Sequence, residues 1–206
     1  MILETVNVGP MQVNCYILAC AEGRQAIIID PGDQAHKIKA VLDRHKLIPA
    51  LVINTHGHYD HIGSDDKFGV SVYVHKQDLV MLEDAKKNLS ASFALPYKVK
   101  SEIKTLEDRE TIKLDCLELE VIHLPGHTPG GIGLLMKKPE TNIIFTGDTL
   151  FFQGVGRSDL PAGSESELRQ SIKERLFILP SQTKVYPGHG VATTIGSEKN
   201  NHQFID

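Results

Sequence analysis

The 206-residue chain is 41% hydrophobic and 23% charged, an ordinary balance for a globular protein long enough to bury a substantial α/β core. Its formal net charge of −4 argues against a nucleic-acid footprint, which is normally basic. No apolar run approaches transmembrane length, and the first residues lack the basic-then-apolar layout of a signal peptide.

In chain order, residues 2–8 and the run Cys15-Tyr16-Ile17-Leu18 read as strands around the turn Gly9-Pro10. Ala26-Ile27-Ile28-Ile29 is a buried strand closed by Asp30-Pro31-Gly32, and Asp33 can then cap a helix presenting Ile38, Val41, Leu42 and His45 on one face. Leu51-Val52-Ile53 is another buried strand. Directly after it stands Thr55-His56-Gly57-His58-Tyr59-Asp60-His61, with three imidazoles and one carboxylate within six residues. Imidazole and carboxylate together suit zinc, iron or manganese, and a strand-end loop is a usual place for chemistry. His56 and His58 can turn toward one centre while Asp60 and His61 face a second beside it.

Residues 61–68 then read as a short helix, 70–75 as a strand with Val70, Val72 and Val74 inward, and 78–89 as a helix. Residues 90–102 have no clear period and contain Pro96, so they read as an excursion or lid. The second half repeats the grammar. Residues 111–114 and 117–121 alternate as half-exposed antiparallel strands do, and the second leads through His123-Leu124-Pro125 to Gly126-His127-Thr128-Pro129-Gly130. Residues 132–136 and 143–145 are strands, the latter ending at Thr146-Gly147-Asp148-Thr149. A helix over 164–177 puts Leu168, Ile172 and Leu176 on one face, with Ser164 and Glu167 spaced as a capping box. A strand at 184–186 runs into Pro187-Gly188-His189-Gly190. His127, Asp148 and His189 thus follow strands and sit beside glycine, as the first cluster follows its own strand; on one edge of a sandwich these side chains can build a two-metal site. His36, His45, His75, His123 and His202 are unclustered and read as structural or surface residues. Cys15, Cys20 and Cys116 lie in strand-like apolar stretches without metal-type spacing and read as buried thiols of a reducing cytoplasm rather than a disulfide frame.

The pattern His56-x-His58-x-Asp60-His61, then His127, Asp148 and His189, resembles the metallo-β-lactamase-fold hydrolases. The similarity runs from Ile29-Asp30-Pro31-Gly32 to Pro187-Gly188-His189-Gly190, and within that group it is nearest the small single-domain glyoxalase II-like thioester hydrolases. The resemblance implies an α/β fold, a four-layer αββα sandwich of residues 1–206 as one domain, with a dinuclear centre on one edge. One metal would take His56, His58, His127 and a bridging Asp148; the other would take Asp60, His61, His189 and the same Asp148. Two divalent ions are implied, zinc first, with iron or manganese as alternatives. Charge counting over this site favours a metal-bridging hydroxide at neutral pH, with Asp60 orienting it for attack on a thioester carbonyl. A thiolate leaves readily, so no strong general acid is needed. Asp30 is a candidate for orienting a ligand histidine, or it only makes its turn.

Some features depart from the family. The most familiar β-lactamases carry cysteine where Asp148 stands. Long glyoxalase II enzymes show a glutathione-holding helical region where this chain has only a short tail with His202-Gln203-Phe204, and aromatics where it has Gly156-Arg157-Ser158-Asp159. Arg157 is the candidate substrate-binding residue, able to grip a carboxylate on the thiol, or else to clamp its own loop through Asp159. The expected partner is a small-molecule thioester, with neither nucleic acid nor membrane, for a cytoplasmic monomer or small homo-oligomer. The alternative activity is that of the mononuclear-iron sulfur dioxygenases of the same fold, which share a Gly-Arg-Ser/Thr-Asp stretch.

Overall fold

A computed structural model describes residues 1–93 and 96–201. Two six-stranded sheets face each other. The first contains, in spatial and chain order, β1 (Ile2–Val8), β2 (Val13–Ala19), β3 (Gln25–Ile29), β4 (Ile48–Ile53), β5 (Val72–His75) and β6 (Ile103–Leu106). The second is built from β7 (Thr111–Leu114), β8 (Leu117–His123), β9 (Ile132–Lys138), β10 (Ile143–Gly147), β13 (Lys184–Pro187) and β14 (Thr193–Thr194), with a small hairpin of β11 (Leu150–Phe151) and β12 (Gly154–Val155) beside it. Helix α1 (Ala35–Arg44), the short α2 (Tyr59–Ile62), α3 (Leu79–Glu83) and α4 (Ser90–Phe93) connect strands of the first sheet. Helices α5 (Glu165–Ser171) and α6 (Ile195–Asn201) belong to the second half.

The period of two along each strand explains the layers. In β2, Cys15, Ile17 and Ala19 pack with Ile38 and Leu42 of α1, whereas Tyr16 and Leu18 point into the space between the sheets. In β3, Ala26 and Ile28 face the helix side while Ile27 and Ile29 face the other sheet. The second sheet mirrors this: Ile143 and Phe145 of β10 meet the first sheet, and Ile144 packs with Leu168, Ile172 and Leu176. Three apolar layers between four structural layers give the αββα sandwich. Strands apolar on both faces are what such a position demands, and burying each large aliphatic side chain contributes about 1.5–3 kcal/mol.

Several local expectations are corrected. Asp33 does not cap α1; Gln34 stands there in a left-handed conformation (φ 47), and Asp33 Oδ1 accepts its backbone N–H at 2.6 Å. The helix expected over 78–89 ends at Glu83, because Asp84 turns extended and its carboxylate accepts the Lys86 N–H at 2.8 Å in competition with the helix. The strand at 70–75 begins at Val72. Over 164–177, α5 gives way to a π turn at Ile172–Leu176, with Phe177 N–H donating to Ile172 O. Only half of the capping box forms: Ser164 Oγ accepts from Glu167 N–H, while Ser164 N–H donates to Gly126 O at 2.7 Å.

The segment expected as a lid is pinned where it is described: Tyr97 OH, and the N–H groups of Lys100 and Ser101, donate to the Asp66 carboxylate. Its residues 94–95, and the tail motif His202-Gln203-Phe204, lie outside the described residues. The thiol expectation holds for buried Cys15 and fails for the other two cysteines. Cys20 and Cys116 form a disulfide, Cα to Cα 5.8 Å. They are 96 residues apart, and only the stacking of the sheets lays the end of β2 against the β7–β8 turn. The reducing-compartment argument therefore loses its support from this pair. Among the described residues no helix is long and apolar enough to cross a membrane.

Candidate metal centre

Chain direction decides where the ligand-type residues gather. Strands β3 and β4 are parallel, so Asp30 after β3 and the His56 loop after β4 leave the first sheet at the same end. Strands β10 and β13 are parallel too, which puts Asp148 beside the Pro187-Gly188-His189 turn, with Gly188 N–H donating to Gly147 O. The two ends are laced across the sheets. Asn14 N–H donates to Gly188 O at 2.8 Å, Tyr16 OH to Pro187 O at 2.6 Å, and Ile132 N–H to Thr55 O at 2.8 Å. Gly188 is required by this closeness: a Cβ there would collide with Asp148 Oδ1 and lie 2.8 Å from His61 Cε1.

All seven expected ligands converge. His56, His58 and His127 form one group, Asp60, His61 and His189 another, and His56, His61 and Asp148 a third between them, each with its ligand atoms within 4.8 Å of one another. Asp148 Oδ1 is 3.4 Å from His61 Nε2; its Oδ2 is 3.6 Å from His127 Nε2 and 3.5 Å from His189 Nε2. Asp60 Oδ2 lies 3.4 Å from His189 Nε2 and 3.7 Å from His61 Nε2.

Hydrogen bonds to the outer ring nitrogens fix which nitrogen faces inward. His127 Nδ1 donates to Arg157 O at 2.7 Å and His189 Nδ1 to Met11 O at 2.9 Å, so each Nε2 is the nitrogen turned toward the centre, where His127 Nε2 lies 2.9 Å from His58 Nδ1. His61 Nδ1 sits 3.0 Å from Asp30 Oδ2, and Asp30 also accepts from Thr55 N–H and Thr55 Oγ1, both at 2.7 Å. Asp30 thus makes its turn, in a left-handed backbone (φ 51) that Asp tolerates, and sets its charge beside the His61 ring, whose Nδ1 has no hydrogen-bond partner.

Within the cluster, His56 Nε2, His61 Nε2 and Asp148 Oδ1 are buried without a hydrogen-bond partner. Leaving such atoms unpaired costs about 1–3 kcal/mol each. Cations among these imidazoles and carboxylates remove that cost, and the donor set suits zinc, iron or manganese. Burial, reinforced by neighbouring imidazoles, holds His56 well below its ordinary pKa and His58 at about 3. Their neutral rings are the form that metals bind. Around the other group burial is outweighed. The Asp148, Asp60 and Asp30 carboxylates push His61 well up, the Asp60 and Asp148 carboxylates raise His189, and these imidazoles hold Asp60 and Asp148 below the usual carboxylate range.

A cavity of about 210 Å³ opens over the cluster, bounded by Met11, Tyr59, Leu89, Arg157 and Leu160. An apolar cleft of about 370 Å³, lined by Val8, Pro10, Met11 and Val13, adjoins it at Tyr59 and Asp60. Arg157 borders the first cavity, but its exposed guanidinium is held by both Asp159 oxygens at 2.8 Å. Among the other histidines, His36 is exposed, His45 pairs with Glu4 at 2.8 Å, and His75 stacks on His123 at 4.1 Å. Asp78 escaped sequence reading because residues 78–89 read only as a helix; its carboxylate joins the two histidine loops. Met11 was missed for a different reason, since it acts through a backbone carbonyl that no side-chain motif reports.

The chain is 34% identical over 204 residues to the probable metallo-hydrolase YqgX of Bacillus subtilis, covering 97% of this chain and 95% of that protein. It is 35% identical over 216 residues to the hydroxyacylglutathione hydrolase GloC of Haemophilus influenzae, covering 100% and 99%. Among solved structures, BLEG-1 B3 metallo-beta-lactamase superposes with a TM-score of 0.90 at 34% identity over 99% of both chains. A di-iron-bound form of TTHA1623 gives 0.83 at 36% identity, over 98% and 99%. Residues 8–189, the stretch that carries every candidate ligand, match the family model described as the metallo-beta-lactamase superfamily, and it is to this family that the chain belongs.

Proposed function

We propose that this metallo-hydrolase cleaves thioesters, in the manner of glyoxalase II-like enzymes, with two divalent metals held by His56, His58, His127 and Asp148 and by Asp60, His61, His189 and Asp148. The carrying observation is the convergence of seven ligand-type side chains beside an open cavity, with His56 Nε2, His61 Nε2 and Asp148 Oδ1 buried and unpaired. The similarity to GloC, by its name a hydroxyacylglutathione hydrolase, supports the substrate class.

When bound, the metals supply Lewis acidity and a water deprotonated at neutral pH. The chain's own residues do the rest. Asp60, ionised and bordering both cavities, accepts a hydrogen bond from the attacking water and aligns it. The carbonyl carbon gains OH, the C–S bond breaks, and the sulfur leaves as thiolate, whose ordinary pKa near 8.5 dispenses with a strong acid. The apolar cleft between Val8, Met11 and Val13 suits the acyl arm. Arg157, exchanging Asp159 for a substrate carboxylate, suits the thiol arm. On this reading the partner is a small thioester, with no nucleic acid or membrane, and the protein is a monomer or small homo-oligomer.

The test combines metal analysis of protein purified without added metal with a panel of glutathione thioesters, neutral-thiol thioesters and a β-lactam. Two metals per chain with thiol release are expected. Two bound metals without thiol release overturn the reading, and one iron per chain with oxygen uptake replaces it with the dioxygenase. The β-lactam is included because BLEG-1 is named a B3 metallo-beta-lactamase; cleavage of it in preference to thioesters also overturns the reading.

A further inference from the structure

Asp78 is fully buried at the start of α3, yet its carboxylate makes no bond to that helix. Its Oδ2 accepts from Gly57 N–H at 3.0 Å and from Thr128 Oγ1 at 2.7 Å, and its Oδ1 accepts from Gly130 N–H at 2.6 Å. Gly57 separates His56 from His58, and Thr128 follows His127. One carboxylate therefore ties together two loops that leave different sheets and carry the three imidazoles of a single group. The approach is close enough that a Cβ on Gly130 would lie 2.7 Å from Asp78 Oδ1. The other metal group does not share this carboxylate: Asp30 faces His61 as an ion-pair neighbour, and His189 donates to Met11 O. His56 and His127 ring centroids stand only 4.7 Å apart, as do those of His58 and His127, so a small shift between the loops alters all three inward nitrogens together.

We propose that Asp78 is a positioning residue which sets the spacing of His56, His58 and His127, and thereby the metal affinity of that group selectively. The inference rests on reading these three histidines as ligands of one metal. It follows from hydrogen-bond inventory: three donors, two of them backbone N–H groups of ligand loops, converge on a charge that fixes direction as well as distance. Partners of this kind outside the ligand set typically govern metal affinity 10–100-fold.

The experiment is zinc stoichiometry and chelator competition on the purified full chain, with cobalt(II) absorption as an independent view of ligand geometry. Asp78→Asn keeps size but sets an amide NH₂ against one of the three donors. One of the two metals should bind about 10–100-fold more weakly and the other as in the wild type, with an altered cobalt spectrum. Thr128→Val removes one hydrogen bond and leaves Asp78 intact, so it serves if Asp78→Asn does not fold. It should weaken the same metal by a smaller factor, and Thr128→Ser should restore it. Unchanged affinity at both metals, or weakening of both in step with a lower melting temperature, overturns the proposal. A failure of the underlying ligand reading looks different: His58→Ala would then leave both metals bound in an otherwise wild-type chain.

Discussion

At the scale of single residues, the centre is divided between a neutral histidine side and an ionic side. His56 and His58 are kept uncharged by burial, whereas His61 and His189 share their positions with Asp60 and Asp148. Asp148 reaches toward both sides, so Asp148→Ala should lower occupancy at both metals while His189→Ala mainly empties one. Metal stoichiometry of the two variants decides, and loss of the same single metal from both would refute the bridge. Arg157 offers a contact more easily traded. Its pair with Asp159 is solvent-exposed, and such pairs contribute little. A charge-assisted grip on a substrate carboxylate contributes roughly 1.5–3 kcal/mol. Arg157→Ala should therefore raise KM about tenfold for acidic thiol carriers and leave kcat for a small neutral thioester nearly unchanged. An equal loss on both substrates would assign Arg157 to its loop.

At the scale of elements, the ends of β5 and β8 meet where His75 lies buried against His123, rings 16° from parallel. Burial, then His123, pushes the His75 pKa down to about 4. An unfolded histidine takes up its proton near 6.5. Above that pH neither state is protonated and the site has no pH effect. Between about pH 6.5 and 4 the unfolded chain binds a proton that the folded one refuses, so stability falls with pH, by at most about 3 kcal/mol. The loss levels off below 4. The stability advantage of wild type over His75→Gln, followed by denaturant unfolding, should shrink across that window. A flat difference would show that His75 titrates normally in the folded protein.

At the scale of the whole molecule, the two sheets are joined at opposite ends by different chemistry. At the metal end, Asn14, Tyr16 and Thr55 lace one sheet to the other. Beyond the far end of β2, Cys20 and Cys116 do so covalently, closing a loop across 96 positions. Disulfides typically confer about 2–4 kcal/mol, and chain entropy alone allows up to about 4.7 kcal/mol for a loop near this size. Cys116→Ser, or reduction, should lower unfolding stability by about that amount while metal stoichiometry stays the same, because the first residue of β2, Val13, and not Cys20, bridges His189. An unfolding midpoint indifferent to reductant would remove the disulfide from the ledger.

What the sequence determined by itself was whatever local chemistry dictates. The short run Ala26-Ile27-Ile28-Ile29, rich in β-branched residues and apolar on both faces, reads as a strand between two layers; the cluster from His56 to His61, with His127, Asp148 and His189, marks candidate metal ligands through residue type and spacing. Single helix caps were less legible, since Asp33 and Asp84 each had a competing backbone N–H within two residues. The two-residue strands β11, β12 and β14 are too short to carry a period. Only the tertiary structure decided the rest. Parallel pairing of β3 with β4 and of β10 with β13 brought distant strand ends to one edge, sheet stacking paired Cys20 with Cys116, and the crossing of two loops over Asp78 gave that carboxylate its three donors. Each of these is a contact between segments far apart in the chain, and no local pattern of side chains encodes which distant backbone group will arrive.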